Sequence, residues 1–506
     1  MLEILTPLEM AEVDRLAIEA GPLSGLALME RAGAAIAALV LARFSAAARA
    51  DVLCGPGNNG GDGYVIAEIL RRSGMPVEIF AEGSPRSRSD AEAAASACLI
   101  AIRPLAEFSP AADTVVVDAL YGAGLARAVS DDVAAAIGRA ATAGCTVVAV
   151  DLPSGVSGES GAVLGHAFQA DVTVTFVRRK PGHLLQPGRS LCGDVVVVDI
   201  GIADATVEAM APRTFENRPP LWLATFPSPL VDAHKYSRGH VAVVSGRESA
   251  TGAARLSAFA AARAGAGAVT LLSPSSAMAV NAAHLTATML RQAETASEIA
   301  DFLVARRSRA LVFGPGLEPT AQTAAVLAEL LAVAGGTAVL VVDAGALTAI
   351  AANPNALFSI SGGLPAARMV LTPHHAEFER VFPDLAADGA LSKLERARQA
   401  ARRSNAVVVY KGPDTVIAAP DGRAAINLNG TAFLATAGSG DVLAGIIAGL
   451  AAQGLPVFEA SCAAVWMHAE AGSRFGPGLV AEDLPDALLP VLRELHSTIS
   501  SSQTRR

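Results

Sequence analysis

Hydrophobic residues in this chain fall in short unbroken runs separated by longer alanine-rich stretches. Thr114–Val117, Thr146–Val150 and Val195–Val198 show no inside–outside alternation, and Val77–Phe80 and Val172–Phe176 interrupt their apolar residues only with Glu78, Thr173 and Thr175. Such runs are buried on both faces, which predicts strands of a parallel sheet covered by helices. Asp51–Cys54 reads as another strand, followed by a loop over Gly55–Gly63 and a helix over Tyr64–Arg72. The alternation restarts at His240–Ser245 and continues through Ala310–Phe313, Ala338–Val342, Met369–Leu371 and Ala406–Tyr410. Thr415–Asn429 interrupts it as a hairpin about Asp421–Gly422. Between the two series lies a stretch with neither period, carrying Pro212, Pro219, Pro220, Pro227 and Pro229. The pattern divides the chain into an α/β domain of residues 1–212, a linker of 213–230, a second α/β domain of 231–495 and a polar, disordered tail of 496–506.

Composition narrows the function classes. The 506 residues are 52% hydrophobic and 17% charged, ample for two cores. A net charge of −9 and an aromatic content of 4% exclude nucleic acid as the expected partner. No apolar run reaches the ~18 residues of a spanning helix. The best, Ala32–Ala42, stops at Arg43, so no membrane partner is expected. The acidic start lacks the basic region of a signal peptide. Five scattered cysteines without a CxxC support neither a zinc site nor a disulfide framework, and predict a reduced, cytoplasmic protein. Cys54 reads as a buried strand residue.

Two glycine-rich strand-to-helix junctions carry the candidate chemistry. The first, Gly55–Gly63, has the GxGxxG spacing at Gly55, Gly57 and Gly60, but no Lys-Ser/Thr of a P-loop. It adds Asn58, Asn59 and Asp62, a source of oxygen ligands and hydrogen bonds. Asp118 and Asp151 close two further strands of the same series, with Gly122–Gly124 and Pro153–Gly155 after them. Ligands of open α/β sheets bind beyond the carboxyl ends of the strands, where these loops converge. Asn59, Asp118 and Ser154 offer hard oxygens suited to a hard cation. Asp151 is left as an acid/base. The second junction, Thr436–Gly440, opens a helix near Asp441. Its free N–H groups suit a phosphate, and Asp441 suits the removal of a hydroxyl proton. Lys411–Thr415, Gly314–Gly316 and His374–Glu377 follow strands of the same domain. The adjacent His374 and His375 point apart and do not make a metal site.

In order and spacing, PGNNGGDG, DALYGAG and DLPSG resemble the NAD(P)H-hydrate epimerase family, over about residues 8–205. The resemblance implies that Asn58, Asn59, Gly60, Gly61, Asp62, Gly122, Ala123, Gly124, Leu125, Ala126, Arg127, Ala128 and Asp151 contact the hydrated dinucleotide. It also implies that Asn59, Asp118 and Ser154 bind K+. Ala123 stands where the family often has threonine. KYSRGH, TGA, GPGL, LTPHHAEF, KGPDT and AGSGDVLAG resemble the ADP/ATP-dependent NAD(P)H-hydrate dehydratase family, over about 225–495. There the resemblance implies a nucleotide, with Mg2+, on Lys411, Gly412, Pro413, Asp414, Thr415 and Gly440. Ala253, Gly316, His374 and Asp441 are implied to face the hydrate. Glu318 and His375–Ala376 depart mildly from that family. The fold expected from these resemblances is an N-terminal Rossmann-like parallel sheet with helices on both faces and a C-terminal ribokinase-like α/β domain. The activity expected is repair of NADH hydrate and NADPH hydrate by epimerisation and ADP-dependent dehydration, in a homo-oligomer. The alternatives are a vitamin-precursor kinase fused to a non-catalytic dinucleotide-binding module, or a sensor without turnover.

Overall fold

The computed structural model describes residues 2–228, 233–365 and 368–503. The chain forms two units, Glu3–Pro212 and Arg213 onward, the second also taking Leu2.

In the first unit, the described residues form a seven-stranded, wholly parallel sheet. Its strands are β1 (Arg49–Cys54), β2 (Val77–Ala81), β3 (Ile102–Pro104), β4 (Thr114–Ala119), β5 (Thr146–Val150), β6 (Val172–Phe176) and β7 (Asp194–Val198). The spatial order is 3-2-1-4-5-6-7, so connections turn outward in opposite directions from the β1/β4 pair. Val52, Cys54, Val115 and Val117 face one core, Leu53, Val116 and Val147 the other, which is the two-sided burial that unbroken apolar strands predict. Ile102–Pro104 was not expected as a strand: it is short and exposed, at the sheet edge.

Three helices position the first site: α1 (Pro7–Ala20), α2 (Gly25–Arg43) and α3 (Asn58–Arg72). Thr6 and Glu9 form a capping box at the start of α1. The apolar run of α2 is longer than Ala32–Ala42 suggested. By length and composition this helix alone among the described residues is apolar enough to cross a membrane. Its Met29, Ile36, Ala37 and Val40 are buried in the core of the sheet, and Arg31 donates to Ile200 O at 3.1 Å.

In the second unit the described strands are β8 (Thr214–Asn217), β9 (His240–Val244), β10 (Ala268–Ser273), β11 (Met289–Gln292), β12 (Ala310–Phe313), β13 (Val339–Val342), β14 (Met369–Leu371), β15 (Val407–Tyr410), β16 (Val416–Ala418) and β17 (Ala424–Asn427). They order as 11-10-9-12-13-14-15-16-17-8. β11 through β15 run parallel. The expected hairpin, β16–β17, is antiparallel, and β8 closes the edge parallel to β17. The helices used below are α4 (Gly252–Arg263), α5 (His375–Val381), α6 (Ser439–Ala452), α7 (Val457–Phe475) and α8 (Leu484–Gln503).

Two expectations about segments are corrected. The expected linker 213–230 opens as strand β8. Asn217 Nδ2 donates to Asn427 Oδ1 (3.0 Å) and Cys462 O (2.8 Å), and Trp222 and Phe226 are buried in the core of the second unit. Proline content hid a strand of only four residues. Pro229 and Leu230 lie outside the described residues. The expected disordered tail is helical as far as Gln503, because α8 continues through the polar serines; 504–506 lie outside the described residues.

Candidate active sites

In the first unit, β1 ends at Cys54 and α3 begins at Asn58, six residues before the expected Tyr64. Three glycines in its first turns disguise this helix. They serve close packing: a Cβ on Gly60 would lie 1.8 Å from Gly55 O, and one on Gly63 would lie 2.8 Å from Cys54 Sγ and 2.9 Å from Ala119 Cβ. The helix N-terminus thereby sits at the β1/β4 switch point, with Asn58 exposed and Asn59, Gly60, Gly61 and Asp62 in its first turns. Cys54 is fully buried and its thiol is pushed well up, so it stays a structural, protonated side chain.

Asp151 follows β5 in the left-handed region, at φ +62°. A non-glycine residue there is strained and is held by its neighbours. Its Oδ1 accepts from Lys180 Nζ (2.8 Å) and Thr175 Oγ1 (2.9 Å), and its Oδ2 from the Ala123 N–H (2.8 Å). His183 Nδ1 accepts the Lys180 N–H at 2.9 Å, so Nε2 carries the proton and donates to Asp151 O at 2.7 Å. Burial lowers His183 to about 4, with Lys180 adding to it, so the ring is neutral. Burial would raise Asp151, but Lys180, His183 and the Ala123 N–H outweigh it and hold this carboxyl below the usual carboxylate range. Two other acids nearby go the opposite way. Burial lifts Asp14, on α1, to about 6, with Lys180 opposing and Asp151 adding. Burial, Asp151 and Asp14 together push Asp62 well up.

Asp118, at the end of β4, is fully buried. It accepts from Ser154 N (2.7 Å), Ser154 Oγ (2.6 Å) and Leu120 N (3.3 Å), all neutral donors. Burial lifts it to about 6 despite these bonds. A buried carboxylate without a cationic partner fits a bound cation. Asp118 and Ser154 touch directly. Asn59 approaches the same loop: a Cβ on Gly122 would lie 2.8 Å from Asn59 Oδ1 and 2.8 Å from Asp151 Oδ2. Asn59 Nδ2 is buried with no hydrogen-bond partner. Of the expected dinucleotide loop, Ala123 is buried with Leu152 and Val156, while Gly124, Ala126, Arg127 and Ala128 are exposed and Leu125 is half-buried. Lys180, His183 and Asp14 were missed in the sequence. The signal was the basic run Arg178–Lys180 at the end of a buried strand.

In the second unit, Gly438 caps α6 at φ +88°, a conformation that favours glycine; a Cβ there would also lie 2.9 Å from Ala481 Cβ and Leu256 Cδ1. Asp441 follows in the first turn. Ser257 Oγ, on α4, donates to Asp441 O at 2.8 Å and reaches Ala253 O at 3.2 Å, which places Ala253 beside this helix start. Lys411 closes β15. Its Nζ bonds Asp343 Oδ1 at 2.9 Å and lies 3.9 Å from Glu377 Oε2. A Cβ on Gly440 would lie 3.3 Å from Lys411 Nζ and 3.5 Å from Asp343 Oδ2, so the absent side chain leaves an opening there. Asp343, at the end of β13, was missed: VVDAG reads as a plain strand end. Burial raises Asp441 to about 7, with Asp343 and Glu377 adding and Lys411 opposing. Glu377 is raised by burial too, and Lys411 is raised because Asp343 and Glu377 outweigh its burial.

The remaining expected residues ring this cluster. His374 caps α5, its Nδ1 accepting from Glu377 N at 3.3 Å, while Glu377 Oε2 accepts from His374 N at 2.8 Å. Gly316 lies at the β9/β12 switch, where its carbonyl is 2.1 Å from the Cβ position of Gly246. Gly412 and Thr415 bond each other around Pro413. Asp414 pairs with Lys393 at 2.5 Å. Among the described residues no group of three or more His, Cys, Asp or Glu side chains could hold a metal.

Residues 25–182 match the family model described as YjeF-related protein N-terminus, and 241–490 match that of NAD(P)H-hydrate dehydratase. The bifunctional NAD(P)H-hydrate repair enzyme Nnr of Moorella thermoacetica is 36% identical over 98% of each chain. The protein of the same name from Escherichia coli K12 is 32% identical, over 92% of this chain and 90% of its own. The ADP/ATP-dependent NAD(P)H-hydrate dehydratase of Bacillus subtilis, co-crystallized with ATP/Mg2+, is 26% identical with a TM-score of 0.47, over 55% of this chain and 98% of its own.

Proposed function

This chain belongs to the family of bifunctional NAD(P)H-hydrate repair enzymes, and from that premise we propose which of its residues perform each activity. The vitamin-kinase and sensor alternatives have no place for relatives that match both units end to end.

For dehydration, the carrying observation is a carboxylate near neutrality at a helix N-terminus beside a lysine: Asp441 next to Lys411. NADH hydrate carries a hydroxyl on the ring carbon beside the nitrogen, and hydroxide leaves poorly. Asp441 takes the hydroxyl proton, and the oxygen attacks the terminal phosphorus of ADP. AMP departs. The ring nitrogen lone pair then expels phosphate, and loss of the neighbouring C–H proton restores the dihydronicotinamide. Lys411 and the N–H groups of Gly438–Gly440, donors at a helix N-terminus beside an ammonium, hold the moving phosphoryl group. Lys411–Thr415 and Gly440 hold the nucleotide; Ala253, Gly316 and His374 face the hydrate. Mg2+ bound with the nucleotide would neutralise charge on its phosphates. Because one geometry phosphorylates one face of one carbon, this unit acts on the S form, and the first unit supplies it from the R form.

For epimerisation, the site is the β1/β4 switch point. Asn58–Asp62 and Gly122–Ala128 cradle the hydrate, and the fixed anion of Asp151 balances positive charge developing on the ring. Asp118, Ser154 and Asn59 hold K+, whose charge offsets the buried Asp118 carboxylate. The five free cysteines suit a reducing cytoplasm.

The test follows dihydronicotinamide absorbance on mixing the chain with hydrated NADH and ADP. Full recovery from an R/S mixture, against recovery of only the S fraction by an Asp151→Asn variant, is expected. No ADP-dependent recovery would overturn the reading.

A further inference from the structure

At a carbon bonded to both hydroxyl and nitrogen, the nitrogen lone pair lets the C–O bond break and re-form on the opposite face, which inverts the centre. The departing hydroxyl needs a proton. Asp151 has none to give: it is held as an anion, with both oxygens accepting hydrogen bonds. The donor therefore comes from elsewhere in the site.

Helix α1 lies outside residues 25–182 matched by the family model, yet three features fasten it to the loop that carries Lys180. The Leu5 N–H donates to Arg179 O at 3.0 Å. Arg178 Nε bonds Glu3 Oε2 at 2.9 Å. Met10, Val13 and Ala17 share a core with Val177 and Ile200. Asp14 stands four residues after Met10 and three before Ala17, so it projects from this same fastened face. It is half-buried, and among the described residues no hydrogen-bond donor claims its carboxyl group. The charged groups facing it are Lys180 from the loop, Asp151 from the end of β5 and Asp62 from α3.

We propose that Asp14 is the proton donor of epimerisation, delivered to the site by a helix that precedes the matched region. The inference rests on the epimerase reading above. Asp14 gives its proton to the hydroxyl as the C–O bond breaks and water leaves. The ring nitrogen lone pair forms the C=N bond, and Asp151 balances the resulting cation. Water adds to the opposite face, and the one proton it releases returns to Asp14, which restores the acid. No electrons are gained or lost overall. The lift of Asp14 to about 6 keeps roughly a tenth of it protonated at pH 7, against about a thousandth for an ordinary aspartate.

The experiment uses the full chain and NMR of the two epimers, from pH 5 to 8. In the wild type the R-to-S rate is expected to fall as pH rises through about 6, as Asp14 loses its proton. Asp14→Asn is expected to slow interconversion on the order of 10²-fold. It should flatten that limb and leave ADP-dependent dehydration of pure S substrate unchanged. Asp14→Glu should restore most of the rate together with a pH limb, which a merely structural role would not produce. An Asp14→Asn protein with the wild-type rate and limb overturns the proposal. If Asp14→Asn fails to fold, the same comparison is made with Asp14→Ser, and a wild-type limb there overturns it equally. Asp151→Asn separates the failures: inactive Asp151→Asn with normal Asp14→Asn removes only Asp14, whereas normal rates in both remove the epimerase site itself.

Discussion

Single charges decide what each site can do. Asp441 is neutral below about 7 and ionised above it, and only the ionised form accepts a proton. The kcat/KM for ADP-dependent dehydration should therefore rise with pH through about 7, since that parameter reports groups of the free enzyme. Asp441→Ala should lose that limb and ~10²-fold or more in rate while ADP still protects against thermal unfolding. Near-normal turnover in the folded variant would remove Asp441 as the base. Asp343 has a different task. It is 2% exposed and pairs with Lys411, so Asp343→Ala leaves a desolvated ammonium whose remaining ion-pair partner is Glu377, at 3.9 Å, with Asp441 beyond it. Breaking a buried pair from one side costs about 3–5 kcal/mol, and the remaining carboxylate argues for the lower figure. Chemical denaturation checks this. The exposed His375–Glu379 pair should give no measurable loss when Glu379 becomes alanine.

At the scale of elements, α3 shows how one helix positions a site. Gly63 has Cys54 Sγ and Ala119 Cβ against its missing side chain, whereas Gly57 has nothing within 4 Å. Gly63→Val should wedge α3 away from β1 and β4, destabilise the first unit by about 1–3 kcal/mol and abolish epimerisation. Gly57→Ala should cost little, and dehydration should survive in both. Thermal unfolding followed with the two assays separates these outcomes. The same helix marks the limit of sequence reading. Strands β4, β5 and β6 were legible because apolar runs have a physical period of their own. The start of α3 was not, because glycines that serve packing look like glycines that serve a loop. Strand β8 was hidden by prolines just after it. Asp118, Asp151 and Asp441 were legible because each closes a strand or opens a helix beside glycines. Asp14 was not, and the basic run Arg178–Lys180 only hinted at Lys180: their importance comes from a charge across space, which no local pattern spells out.

For the whole molecule, the boundary between the units falls at Pro212–Arg213, and β8 belongs to the second. A chain ending at Pro212 should epimerise without ADP. One beginning at Arg213 should dehydrate the S form. One beginning at Leu221 lacks β8 and the Asn217 bonds to Asn427 and Cys462, and should unfold at lower temperature than the Arg213 version. Equal stability of the two would show that β8 contributes nothing.

That edge strand also sets an order of events during synthesis. Asn217 and its partner Asn427 are 210 residues apart. At ~5–20 residues per second, β8 leaves the ribosome on the order of 10–40 s before the strand it pairs with. The first unit has its whole sheet by then. The second must carry a strand without its sheet partner β17 until roughly three-quarters of it is made, so a ribosome that stalls in between leaves a finished epimerase trailing an open sheet edge for chaperones or proteases to find.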